Sequence, residues 1–226
     1  MQRYDILLMD ADDTLLDFGK AEHAAIKNTL EAFGQSATDE LTEIYSKINK
    51  SCWKQLERGE LDKLSLRYVR FEKLCEMCGI CADPKKMGDF YLSDLAKHAF
   101  LIDGAKELCE LLSKKCRIYI ITNGIKSVQT GRMHRCGLDR IFLKCFISED
   151  IGYEKPDVRF FDSVAASIDG FDKSRTLVIG DSLTSDIKGG INFGVDTCWY
   201  NPRGLSGEGM TYNIRNYEEL KKIIFG

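Results

Sequence analysis

Two aspartates separated by one alanine, in Met9-Asp10-Ala11-Asp12-Asp13-Thr14, close a short apolar run. Much further along come Thr122-Asn123, then Lys155-Pro156, then Gly180-Asp181 with Asp186 a turn later. If folding gathers them, Asp10, Asp12, Asp181 and Asp186 repel one another. Such a set calls for a hard cation with oxygen ligands, magnesium above all. Taken singly, each residue has a plainer reading. An aspartate at a strand end is often a helix N-cap or turn residue, a lone lysine is usually a solvated surface group, and a threonine is often a cap. Those readings do not account for Asp10 and Asp12 flanking Ala11 directly after a buried-looking segment.

The elements that would gather them can be read from short apolar runs. Tyr4–Met9, Arg117–Ile121, Lys144–Ile147, Thr176–Ile179 and Val195–Trp199 have the length and composition of buried strands. Between the later ones, Ala105–Leu112, Val128–Cys136, Phe160–Ile168 and Ile187–Phe193 carry apolar residues three or four apart, as helices do. Gly137 and Gly194 follow two of these, where a left-handed residue closes a helix. Alternating strand and helix predicts an α/β fold, a Rossmann-like parallel sheet with helices on both faces. Ligands of such sheets bind outside the carboxyl ends of the strands, where these residues fall.

Residues 17–97 read as helical with no strand, so an all-helical insert is expected between a core of 1–16 and 98–226. Within it, Gly34, Gly59 and Gly79 mark breaks and Pro84 opens a helix near its first turn. A loop over Asn201–Gly209 precedes a closing helix at Tyr217–Phe225.

Composition excludes other classes. A net charge of −3 over 226 residues gives no footprint for a nucleic-acid polymer or an anionic membrane. No apolar run approaches the roughly 20 residues that span a bilayer. The acidic, short N-terminal segment does not read as a signal peptide, and nine scattered cysteines read as reduced thiols, so a cytoplasmic protein is expected. Cys75, Cys78 and Cys81 lack the fourth cysteine of an iron–sulfur run, and Cys75 and Cys78, three apart in an amphipathic stretch, read as core packing rather than a cluster site. His23, His98 and His134 show no metal-ligand spacing.

The ordered set resembles the haloacid dehalogenase (HAD) superfamily of phosphohydrolases. The pattern there is D-x-D-x-T, a Ser or Thr at a strand end, a Lys, and an acidic G-D-x(3,4)-D. Asp10, Asp12 and Thr14 match the first motif, Thr122 the second, Lys155 the third, and Asp181 with Asp186 the fourth. Asp13 departs from the glycine usual at its position.

The resemblance implies a mechanism that elementary chemistry supports. Asp10 attacks phosphorus to give an aspartyl phosphate, and Asp12 protonates the leaving alcohol and then deprotonates the hydrolytic water. Magnesium is expected on Asp10, the Asp12 carbonyl and Asp181, with Asp186 acting through water. Lys155 adds positive charge, and Thr122 with the N–H groups near Asn123 holds phosphoryl oxygens.

The insert resembles the C1 type of cap, which favours small soluble phosphates. Asp10-Ala-Asp-Asp-Thr-Leu15, Ile121–Gln129, Ser148–Gly152, Ser185–Asn192, Cys198-Trp199 with Asn201, and Asn49-Lys50 with Trp53 are similar to the bacterial house-cleaning 5′-nucleotidases. The implied substrates are nucleoside 5′-monophosphates, pyrimidine or non-canonical. Asn49 is then expected to hydrogen-bond a base or sugar, Lys50 to offset charge, and Trp53 to stack on a base or pack in the cap. Phe18 covers substrate or packs. A phosphoglycolate-type or sugar-phosphate phosphatase, a phosphomutase and a non-catalytic regulatory module are the alternatives. Oligomeric state is not written in the sequence.

Overall fold

Four apolar residues, Ile6–Met9, form strand β1, and all four are buried. Alternate side chains of a strand face opposite ways. Leu7 and Met9 accordingly enter one hydrophobic cluster while Ile6 and Leu8 enter another. The further strands are β2 (Arg117–Thr122), β3 (Lys144–Ile147), β4 (Thr176–Gly180), β5 (Asp196–Tyr200) and β6 (Tyr212–Ile214). They build one sheet in the order β3-β2-β1-β4-β5-β6, and every pair is parallel. Met9 pairs with Ile120 on one side and Ile179 on the other. The chain therefore leaves β1, β2 and β4 at one edge, on Asp10, Thr122 and Gly180-Asp181.

The computed structural model describes residues 3–226, which form two compact units. The first contains the sheet: the chain through Asp17, then Phe100–Lys126 and Met133–Gly226. The second is Phe18–Ala99 together with Ser127–Arg132. Inclusion of 127–132 in the helical unit has no counterpart in the expected division of the sequence.

The helical unit holds α1 (Phe18–Ala32), α2 (Asp39–Glu57), α3 (Lys63–Cys78) and α4 (Pro84–Leu95). Thr38, Asp62 and Asp83 cap the last three by accepting backbone N–H groups, and Pro84 occupies the first turn where its missing N–H costs nothing. Its interior stacks Tyr45, Phe71 and Tyr91, with ring centroids 5.1–5.5 Å apart. Cys75 and Cys78 are only half-buried and Cys81 is exposed, so these thiols do not form the core face expected of them. Cys75 lies 3.7 Å from the Met87 sulfur.

In the sheet unit, α5 (Ala105–Leu112) carries Leu108 and Leu112 into the first cluster. Helices α6 (Lys126–Cys136) and α7 (Ser148–Ile151) follow β2 and β3. Helix α8 (Val158–Ala166) sends Phe160, Phe161 and Val164 into the second cluster, and α9 (Lys188–Phe193) adds Phe193. Helix α10 (Tyr217–Phe225) returns Leu220 and Ile224 to the first. The expected α/β layering is what forms, with three additions: β6, the single turn α7, and a π-helical turn at Leu183–Ile187.

Candidate active site

Lys155 is the centre of the charged cluster. It is 2% exposed, and each of its three N–H groups has an acceptor: Asp10 Oδ1 at 2.6 Å, Asp186 Oδ1 at 2.6 Å and the Ile121 carbonyl at 2.9 Å. Burial alone would push an ammonium pKa down, but the two carboxylates outweigh it and hold Lys155 above its usual range. The lysine is therefore a fixed cation.

Its peptide is clamped from across the site. Asn123 donates from Nδ2 to the Lys155 carbonyl at 2.8 Å and accepts the Lys155 N–H at Oδ1 at 2.9 Å. Asn123, expected to touch substrate, has its carboxamide engaged in holding the lysine instead. Thr122, 2% exposed at the end of β2, accepts the Gly124 N–H at 3.0 Å, so the turn after the strand is fastened by the hydroxyl expected to face phosphate.

Asp186 comes from the π-helical turn. Its Oδ2 accepts the Ser182 N–H at 3.1 Å, while Ser182 Oγ accepts the Ser185 N–H at 3.2 Å. A β-carbon on Gly180 would lie 2.2 Å from Asp186 Oδ2, so only glycine lets this carboxylate fold back over the strand end. Asp13 adopts φ 55°, the left-handed conformation that glycine favours and aspartate tolerates. This accounts for glycine being usual there and shows what Asp13 must accommodate. Its side chain is exposed. Thr14 is buried and its carbonyl accepts the Tyr217 hydroxyl at 2.7 Å.

Asp10, Asp181 and Asp186 each offer a carboxylate oxygen within 4.8 Å of the others. Among the described residues this trio is the one group of His, Cys, Asp or Glu so placed, and Cys75, Cys78 and Cys81 form no such group. Burial first, then Asp186 and Asp12, raise the Asp10 pKa against the pull of Lys155. Burial, then Asp10 and Asp186, raise that of Asp181. One lysine thus leaves the trio short of positive charge. An all-oxygen donor set with excess negative charge fits a magnesium ion. Asp12, half-buried, follows in the same segment.

The four residues expected in the insert fare differently. Asn49 is fully buried in α2; its Nδ2 donates to Glu22 at 2.7 Å and its Oδ1 accepts from Arg70 at 2.9 Å. The expectation that it contacts a base or sugar is corrected: the amide belongs to a buried Glu22–Asn49–Arg70 network, because a buried polar group must be paired. Lys50 is exposed and Trp53 half-buried. Phe18 is half-buried and lies under the Arg132 guanidinium, 5.8 Å from its ring centroid. Trp199, read in the sequence only as a strand residue and part of a resemblance and given no role there, donates its indole N–H to the Asp181 carbonyl at 2.7 Å.

A parallel sheet with a lysine-bound carboxylate just past a central strand, and an acidic pair just past the neighbouring one, defines a class of enzymes. The chain belongs to the haloacid dehalogenase-like hydrolases, whose family profile matches residues 4–194. It is a hydrolase.

Its similarity extends to named relatives along almost its whole length. It is 38% identical over 221 residues to the pyrimidine 5′-nucleotidase PynA of Streptococcus pneumoniae, covering 96% of this chain and 93% of that protein. It is 30% identical over 228 residues to the pyrimidine 5′-nucleotidase YjjG of Escherichia coli, covering 98% of each. The crystal structure of the HAD-hydrolase YfnB from Bacillus subtilis, bound to magnesium, superposes with a TM-score of 0.94 at 38% identity, covering 99% of this chain and 100% of that one.

Proposed function

We propose that this hydrolase cleaves nucleoside 5′-monophosphates, pyrimidine nucleotides among them, in a magnesium-dependent reaction through an aspartyl phosphate on Asp10. The observation that carries the chemistry is the Asp10 carboxylate held 2.6 Å from a buried, charged Lys155. The names of two relatives, at 38% and 30% identity along nearly the full chain, support the nucleotide. The insert expected over 17–97 and the core over 1–16 and 98–226 are proposed to be cap and catalytic domain.

Asp10, Asp181 and Asp186, with the Asp12 carbonyl, are the residues that would hold magnesium. When bound there, the ion supplies the positive charge that lets a phosphate dianion lie beside carboxylates. Asp10 directs one oxygen at phosphorus; a P–O bond forms as the bond to the 5′-oxygen breaks. Asp12 gives its proton to that departing oxygen. The resulting Asp12 carboxylate takes a proton from water, whose oxygen attacks phosphorus and releases inorganic phosphate, regenerating Asp10. Lys155 favours the ionised form of Asp10 before attack and orients it, and Thr122 steadies the phosphoryl oxygens at the β2 end. Lys50 and the exposed part of Trp53 remain available to a nucleotide; Asn49 does not.

Phosphate release across nucleotides, phosphoglycolate and sugar phosphates tests the proposal. Pyrimidine nucleoside monophosphates are expected to give the highest kcat/KM, and chelation after metal removal to abolish turnover. If phosphoglycolate or a sugar phosphate outperforms every nucleotide, the nucleotide reading fails. Undiminished turnover in chelator defeats the magnesium reading.

A further inference from the structure

We propose that Trp199 is a positioning residue for metal binding, acting through the backbone of Asp181. The inference rests on the reading of Asp181 as a magnesium ligand.

Asp181 is held unlike its two neighbours. Lys155 grips Asp10 and Asp186, and Asp186 also accepts the Ser182 N–H. The three N–H groups of Lys155 go to Asp10, Asp186 and the Ile121 carbonyl, so Lys155 acts on Asp181 through charge and without one of these hydrogen bonds. Asp181 is the first residue beyond β4, where the ladder to β5 ends with Gly180 opposite Trp199. Past that point its peptide would be free to rotate, and its carboxylate with it. The Trp199 indole N–H closes on the Asp181 carbonyl at 2.7 Å and fixes the plane.

The indole is itself held from behind. Trp199 is 3% exposed, on a strand flanked by β4 and β6. Gly207 packs so closely that a β-carbon there would lie 2.8 Å from both the Trp199 ring and the Leu183 side chain. The loop bearing Gly207 is tied by Asn201, which donates to the Leu205 carbonyl at 2.9 Å and accepts the Leu205 N–H at 2.8 Å. A buried indole N–H needs some acceptor. Here the acceptor is the carbonyl of the acidic residue of the trio that the Lys155 hydrogen bonds leave out, and the loop bearing Gly207 packs against the ring. Groups that orient metal ligands from outside the coordination sphere set metal affinity.

The test is calorimetric titration of the metal-free protein with magnesium chloride, substrate absent. Trp199→Phe keeps a ring and removes the N–H. Its magnesium Kd is expected to rise by about 10–100-fold, the range for outer-shell partners, while kcat at saturating magnesium returns toward the parent value. Benzothienylalanine at position 199, an indole isostere with sulfur in place of N–H, is expected to show the same rise with an unchanged metal-free Tm. It decides the matter should Trp199→Phe unfold. A parent-like Kd in the isostere protein, with binding lost in Asp181→Asn, overturns the proposal and leaves the metal site standing. A parent-like Kd in Asp181→Asn as well overturns both.

Discussion

Asp10 and Asp12 differ in their surroundings, and their substitutions should differ in consequence. Asp10 is buried against Lys155, so Asp10→Asn removes the attacking oxygen and leaves a neutral group on the lysine. Turnover should vanish, with no phosphoenzyme trapped on rapid acid quench. On the proposed mechanism Asp12→Asn removes proton transfer, and kcat is expected to fall about 10²–10⁴-fold. A poor ester with an acidic leaving group, p-nitrophenyl phosphate, should lose less in its first step, because its phenolate departs without a proton. Asn123 offers a third contrast. Asn123→Ala deletes two hydrogen bonds to the Lys155 peptide, each worth about 0.5–1.5 kcal/mol. The expected result is a lowered kcat with KM little changed, measured on the preferred nucleotide. A raised KM at constant kcat would return Asn123 to direct substrate contact.

Among the elements, α1 and α4 are joined by a carboxylate. Asp94, its side chain 9% exposed, accepts Asn28 Nδ2 at 2.7 Å, bonds His98 Nε2 at 2.9 Å and meets Lys97 Nζ at 3.3 Å. Burial pushes its pKa up, but those bonds outweigh it and leave it below the ordinary 3.8. A carboxyl depressed in the folded state contributes stability that is present above the unfolded value and is lost as pH falls through the folded one. Unfolding monitored by helical signal should therefore steepen in its pH dependence below about pH 4, near the model-peptide value. Asp94→Asn should flatten that slope and cost about 1–3 kcal/mol at neutral pH. The same scale shows what sequence could and could not announce. The Ala105–Leu112 and Tyr217–Phe225 helices were legible residue for residue, because their apolar spacing is regular and uninterrupted. Strand β6 was not: three residues at a sheet edge, two of them not fully buried, carry no pattern. Nor was the π-helical turn, which exists because Gly180 admits the Asp186 carboxylate, a fact of two residues six apart. The amides of Asn49 and Asn123 were legible as polar groups in significant places. Their partners stand 27, 21 and 32 positions away, so whether they serve a ligand or the fold was decided by folding alone.

For the whole molecule, magnesium that binds only the folded protein should stabilise it by mass action. At 100 times Kd the gain is about 2.7 kcal/mol. For a chain of this size, that corresponds to a rise in Tm of about 5–10 °C. The rise should disappear in Asp181→Asn and be absent with calcium-free sodium chloride at matched ionic strength, both read by scanning calorimetry. The parallel sheet is what makes this a property of the molecule rather than of a loop. Asp10 follows a strand near its centre, Lys155 arrives on the segment after β3, and Asp181 and Asp186 arrive on the segment after β4.

That arrangement has a temporal side. Asp10 is made near the start of the chain, whereas Lys155 and Asp186 join it from 145 and 176 positions later. During synthesis Asp10 is thus made well before the lysine that balances its charge. On the proposed mechanism, a chain halted short of Asp186 carries the attacking aspartate but lacks one of the three carboxylates that would hold magnesium. Strands β5 and β6 come later still, so every charged residue of the cluster is synthesised before the sheet that positions it is complete.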